Sequence, residues 1–234
     1  MPLVDPAIDI AAHIAEVLAC KKCPLMIGPV VTHHPMLAKI YLVGQAPGPR
    51  EGQFGRPFAW TAGKMLFRWF ETQGVDEQTF REHVFIGAVC RCFPGKAKGG
   101  GDRVPTPVEV QACSGWMERE INMMRPDLII PVGRLAIERF FPRALLAETI
   151  GKQVRSSAFG HACDMIPLPH PSGASTWFKM EPGKTLLTKA LKLLGEHPAW
   201  QPVKKAARTQ RPTAIETSLP LEIASRSLSP KRTG

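Results

Sequence analysis

No stretch of this 234-residue chain approaches the roughly 18 consecutive apolar residues that a membrane span needs. The opening residues carry Asp5 and Asp9 and lack a basic segment followed by an apolar one. No secretory leader is read there, and a cytoplasmic location is expected. Internal repeats are missing too, which excludes solenoid and propeller architectures. Six cysteines without an export signal argue against a disulfide framework and turn attention to their spacing. At 44% hydrophobic, the chain can bury a sizeable core.

The formal net charge of +10 points to a polyanionic partner, but its distribution matters. Residues 199–234 carry seven Lys or Arg against Glu216 and Glu222, so this short segment holds half of the excess. It is poor in aromatics and rich in Pro, Ser, Thr and Arg, and reads as a basic, disordered tail that supplies non-specific phosphate contacts. Residues 1–198 read as one folded domain and are only mildly basic.

Along that domain, apolar residues from Ala7 to Leu18 recur at helical spacing and run into Cys20. Residues 38–44 (AKIYLVG) form a short apolar run ending in Gly, as a buried parallel strand does. Three prolines and three glycines make 45–57 a loop without regular structure. Thr61 is positioned to cap a helix carrying Met65, Leu66, Trp69 and Phe70, with Gly74 as its stop. Residues 84–89 predict a second strand, and 93–105 a Gly/Lys-rich excursion. Thr106-Pro107-Val108-Glu109 has the form of a capping box with Pro at the first helical position. The helix it opens carries Cys113 and Trp116. Strands over 127–132 and 163–168 and helices over 134–141 and 183–194 complete the set. Alternating strands and helices predict an α/β fold, a three-layer α/β/α sandwich on a mostly parallel sheet of about four strands. Ligands of such folds bind at the carboxyl ends of the strands, which singles out loops 45–57, 90–105 and 169–180.

Two of these loops carry chemistry-bearing patterns. The first reads Gly44-Gln45-Ala46-Pro47-Gly48, then Gly55-Arg56-Pro57-Phe58: a stiff backbone for close approach to a planar ligand, ending in an aromatic face. A tight turn with a core phenylalanine is its plain alternative. The last reads Pro169-His170-Pro171-Ser172, a histidine on a rigid loop poorly suited to filling a core. An exposed loop histidine is the alternative there. Cys20 and Cys23 make a C-x-x-C pair, followed by Cys90, Cys92, Cys113 and Cys163.

In this order and spacing, GQAPG, GRPF and HPS resemble the uracil-DNA glycosylase superfamily, most nearly its iron–sulfur branch, family 4. The resemblance covers about residues 15–195 and includes four cysteines. It implies a [4Fe–4S] cluster on Cys20, Cys23, Cys92 and Cys113. Cys92 is preferred over Cys90 because Pro94 follows it by two residues, as in the family. Four thiolates alone suit zinc as well, and zinc stays open as the alternative on coordination grounds. Cys90 and Cys163 read as small buried residues.

By the same resemblance, the substrate is DNA with a damaged base, in single or double strands, and no obligate protein partner is inferred. The reaction is hydrolysis of the N-glycosidic bond of uracil or a related deaminated base, the first step of base-excision repair. The alternative is a lesion- or abasic-DNA binding protein on the same scaffold with little turnover. Phe58 would stack on the flipped base, and Gly44, Gln45 and Ala46 would line its pocket. His170 would donate a hydrogen bond to the base carbonyl where charge develops. Glu51 would position water or favour the cationic sugar. Ser172, Trp177 and Lys179 would touch DNA, Trp177 as the wedge that fills the gap. The family's Asn at the end of the second strand is replaced by Ala88, and the Asp of some superfamily members by Ala46. A pocket without that amide loses discrimination between similar bases, so a wider range of deaminated bases is expected.

Overall fold

The computed structural model describes residues 6–173 and 175–210. Helix α1 (Pro6–Leu18) leads by way of the C-x-x-C segment to strand β1 (Ile40–Gly44). One-turn helix α2 (Glu51–Phe54) and helices α3 (Thr61–Glu71) and α4 (Glu77–His83) precede β2 (Val84–Ala88). Helix α5 (Pro107–Met124), β3 (Leu128–Pro131), α6 (Arg134–Glu138) and α7 (Leu146–Thr149) follow. A hairpin of β4 (Val154–Ala158) and β5 (His161–Met165) leads to a 3-10 turn at Trp177–Lys179, then α8 (Gly183–Glu196) and α9 (Trp200–Gln210).

The sheet has five strands in the order β2-β1-β3-β5-β4. Its first four are mutually parallel, and β4 runs antiparallel to β5. Every residue of β1, β2 and β3 is buried, because helices cover both faces. The two-residue strand period divides the core accordingly. Ile40 and Leu42 pack on α3, α8 and α9, while Tyr41 and Val43 pack on α1 and α5. The expected three-layer sandwich is therefore the observed one. Among the described residues no helix is long and apolar enough to cross a membrane.

Four local expectations need correcting. The sheet gains β4, whose burial alternates along VRSSA, because it is an edge strand with one solvated face. Residues Phe159 and Gly160 join it to β5 with φ of 51° and 80°, the left-handed pair that a two-residue hairpin turn requires. The loop 45–57 contains α2, one helical turn that its glycines and prolines flank but do not break. Trp60, and not Thr61, occupies the cap position of α3, and no side chain caps that helix.

The fourth correction is to the domain boundary at 198. Residues 200–210 of the expected tail form α9, with Trp200, Val203 and Ala207 buried. The indole packs on Phe70 and Phe80 at 5.5 and 5.9 Å between ring centroids. Its Nε1–H donates to the Gln73 carbonyl at 3.3 Å. The rest of that segment, 211–234, lies outside the described residues.

The capping box of α5 is present as expected. Thr106 Oγ1 accepts the Glu109 N–H at 3.3 Å, and the Glu109 carboxylate accepts the Thr106 N–H at 2.7 Å. Arg103 locks the box with two bonds to the same carboxylate, at 2.7 and 2.6 Å. Under α1, β1 and α5, the buried Glu120 accepts hydrogen bonds from Tyr41 and Arg91, and His13 Nε2 lies 3.4 Å from it. Burial alone would raise the Glu120 carboxyl; the Arg91 guanidinium and the His13 and Tyr41 bonds outweigh it and hold it low.

Candidate active site

A cavity of about 310 Å³ opens at the carboxyl ends of β1 and β2, where the loop after β5 meets them. Gly44, Gln45, Ala46, Glu51, Phe58, Ala88, His170 and Ser172 all line it. Backbone bonds extend the sheet to its floor: Val89 N–H donates to Gly44 O at 2.9 Å and Cys90 N–H to Gln45 O at 3.0 Å. Gly133 N–H donates to Leu168 O at 2.9 Å and ties the histidine loop to the end of β3.

His170 is fixed by its surroundings. The Ser172 N–H donates to its Nδ1 at 3.3 Å, so in the neutral ring the proton is on Nε2. Burial lowers its pKa below 6.5, against the opposing pull of Asp102, which keeps the imidazole neutral at pH 7. The ring lies on Gly133, whose φ is +86° and whose substitution would put a Cβ 3.0 Å from His170 Cδ2.

Phe58 lines the same cavity in a left-handed conformation, φ +52°, which costs roughly 1–2 kcal/mol and persists only where the surroundings hold it. Arg81 does so by donating to the carbonyls of Pro57 and Phe58 at 2.9 and 3.0 Å. Glu77 orients the guanidinium through Nε at 2.8 Å. At Gly44 a Cβ would stand 3.0 Å from the Phe58 ring. Glu51 opens α2 and is 8% exposed. Burial pushes its carboxyl up to about 7, although the N–H groups of Gly48, Phe58 and Ala59 and the charge of Arg81 pull it down.

Two expected DNA contacts are elsewhere. Trp177 is half-buried against the core and Lys179 is exposed; neither lines the cavity. Beside them Phe178 is buried edge-on to Trp69 at 5.1 Å, so the 3-10 turn is anchored by its aromatics, and a freely projecting Trp177 wedge is not what it presents. Arg103, on the Gly/Lys-rich excursion, is committed to Glu109.

Three residues near the site had no local signal. Arg81 is on a helix too short to stand out. Asp102 lines the cavity from a hairpin closed by its pairing with Lys96, with Oδ1 accepting from Lys96 Nζ at 2.6 Å. Its Oδ2 lies 3.8 Å from where a Gly48 Cβ would be. Trp60 lines the rim. Only the distance between glycine-rich 95–101 and the catalytic loops, which no sequence pattern encodes, brings Asp102 here.

A second hollow, of about 390 Å³, is lined by Cys20, Cys23, Cys92 and Cys113 together with Lys21, Lys22 and Arg91. The segment after the C-x-x-C pair is laced to the one after β2. Ile27 and Phe93 exchange bonds of 2.8 and 2.9 Å, and Val31 N–H donates to Arg91 O at 2.8 Å. Cys113 is held below the ordinary thiol range by the Cys90 thiol, and further by the backbone N–H and charge of Arg91. Burial pushes Cys23 and Cys92 up to about 11. Cys90 is fully buried outside the hollow, and Cys163 is buried in the core on the sheet face that carries Tyr41 and Met165. Among the described residues, no three His, Cys, Asp or Glu side chains converge on one point as a mononuclear site requires. The four thiols surround a space, with cations near to offset thiolate charge, and this donor set fits a thiolate-held cluster.

Fold and cavity together define an α/β protein with a cavity at its strand ends that is lined by an aromatic ring and a neutral histidine. The uracil DNA glycosylase superfamily matches residues 32–195. The chain is similar to the type-4 uracil-DNA glycosylase of Saccharolobus solfataricus, 34% identical over 68% of this chain and 74% of that one. It is similar to the type-4 enzyme of Archaeoglobus fulgidus at 30% over 68% and 79%, and to the type-5 enzyme of Thermus thermophilus at 28% over 69% and 82%. The chain belongs to the uracil-DNA glycosylase superfamily.

Proposed function

We propose that this chain is a DNA glycosylase that hydrolyses the bond between deoxyribose and uracil, or a related deaminated base, and leaves an abasic site. One observation carries the reading: the neutral His170, with its proton on Nε2, and Phe58 line one cavity of about 310 Å³. The target nucleotide leaves the stack at a cost of a few kcal/mol. Stacking on Phe58 offsets roughly 1–3 kcal/mol of that. As the glycosidic bond breaks, negative charge gathers on the base, and His170 Nε2–H donates to the carbonyl oxygen that carries it. One such donor contributes about 3 kcal/mol to the transition state. Glu51, poised near neutrality, accepts a proton from the attacking water or holds that water toward the cationic sugar.

Cys20, Cys23, Cys92 and Cys113 would hold a [4Fe–4S] cluster. When bound, it would supply a structural cross-link, with these cysteines tying the end of α1 to the segment after β2 and to α5. Hydrolysis needs no electron transfer. The spread of the four thiols around a hollow supports a polynuclear cluster over a single zinc ion.

Ala88 lines the cavity where an amide would read the base edge, and it supports acceptance of several deaminated bases. Excess protein is incubated with labelled oligonucleotides carrying one uracil, hypoxanthine or xanthine, single- and double-stranded, then treated with alkali. Cleavage at uracil that is lost in His170→Ala while DNA binding persists is the expected result. No cleavage at any of these bases by cluster-loaded protein overturns the reading in favour of a lesion-binding protein.

A further inference from the structure

Phe54 and Trp60 are two large aromatic side chains that the fold does not use. Both are exposed, at 47% and 36%, and neither belongs to the hydrophobic clusters on the two faces of the sheet. They nevertheless meet each other, with ring centroids 5.9 Å apart and planes within 21°. The backbone brings them together: Phe54 ends α2, Gly55 turns the chain at φ +62°, and Trp60 stands at the cap position of α3. Trp60 also lines the rim of the base cavity, two residues beyond Phe58.

Cations surround this pair. The Arg50 guanidinium stands 4.5 Å from the Trp60 ring centroid and Lys64 Nζ 5.8 Å from it. Arg50, Arg56 and Lys64 are all exposed, whereas the neighbouring acid, Glu51, is buried. Flat apolar faces bordered by positive charge are what a nucleobase and its phosphate recognise together. A base within a duplex offers its neighbours' stack and not a free face, so only an unstacked strand can use such a platform.

We propose that Phe54 and Trp60 form a stacking platform for the nucleobase next to the one taken into the cavity, and that this makes single-stranded DNA the preferred substrate form. The inference rests on the glycosylase reading for its choice of polymer, and it adds the strand form. As a strand arrives, Arg50 turns from the ring to a phosphate and leaves the face to the base.

The test is equilibrium binding of the full chain, at fixed low salt, to a labelled strand of ordinary bases and to its duplex. Without an excisable base, turnover plays no part. The wild type is expected to bind the single strand more tightly. In Phe54→Leu/Trp60→Leu, which keeps apolar bulk and removes the π faces, the single-strand to duplex affinity ratio should fall about 5- to 150-fold. Trp60→Phe should keep most of it. A ratio unchanged in the double variant, or a wild type without single-strand preference, overturns the platform. If the double variant does not fold, Phe54→Leu and Trp60→Leu are read singly against the same ratio. The excision assay above is separate. A chain that excises nothing but loses its single-strand preference on substitution retains the platform and retires the glycosylase reading.

Discussion

Replacing Glu51 by Gln moves two observables in opposite directions. Burial lifts this carboxyl from 4.5 to about 7 in the folded chain. Between those values the native state binds more protons than the unfolded one, so stability falls as pH rises from about 4.5 to 7 and the deficit persists above 7. At about 1.4 kcal/mol per pH unit, that interval corresponds to about 3 kcal/mol at pH 8. The amide of Gln satisfies the N–H groups of Gly48, Phe58 and Ala59 less well, which returns about 1 kcal/mol. Glu51→Gln should therefore be about 2 kcal/mol more stable than wild type at pH 8, by urea unfolding at equal cluster loading. The gain should vanish below pH 5. Single-turnover excision should go the other way. With the carboxylate as the active form, wild-type rate rises about tenfold from pH 6 to pH 8, as the ionised fraction goes from roughly 9% to 91%. Burial lowers the His170 pKa below 6.5, so the imidazole is mainly neutral above pH 6.5. The variant should lose about 100-fold in rate and lose the acid limb. A variant no more stable than wild type at pH 8, or one that keeps the limb, would refute the reasoning.

Cys92→Ser should abolish the visible absorption of anaerobically prepared protein, whereas Cys90→Ser, outside the hollow, should retain it; the reverse pattern would exchange the ligands. Trp200→Ala should cost about 3–5 kcal/mol by urea unfolding, because it empties a fully buried site packed against Phe70 and Phe80. A loss under about 1 kcal/mol would detach α9 from the domain. Arg91→Met removes the guanidinium paired with the buried Glu120, leaving only His13 and Tyr41 beside it, and should cost about 3–5 kcal/mol at neutral pH. Arg91→Met/Glu120→Met should recover most of it in the same unfolding assay; a double variant as unstable as the single one would mean that packing dominates there.

Strands buried on both faces announce themselves as apolar runs, and β1, β2 and β3 are readable for that reason; the strand expected at 163–168 overlaps β5 only over 163–165, because HACDM alternates in burial. β4 is not readable, because VRSSA alternates and is half polar, as an edge strand must be. Helix α9 carries its apolar residues at Trp200, Val203 and Ala207, a helical spacing overshadowed by the charge of Lys204, Lys205 and Arg208. At the site, the motif loops bring Gln45, Glu51, Phe58 and His170 to one cavity, because short rigid loops at parallel strand ends converge by topology. Arg81 and Asp102 act on residues far from them in sequence, and only the packing of α4 and of the 95–103 hairpin brings them there. An aromatic near a motif looks the same in sequence whether it projects or packs, and Trp177 packs part of its ring on the core.

The chain leaving β2 serves two sites within five residues. Ala88 faces the base cavity, Cys90 holds Gln45 through its N–H, and Cys92 enters the cysteine hollow. Base preference can therefore be altered here by substitution but not by insertion or deletion, since one added residue would throw both walls out of step. The glycine-rich tip at 99–101, where no Cβ would meet a neighbour, is the place where the lineage or an engineer is free to change length.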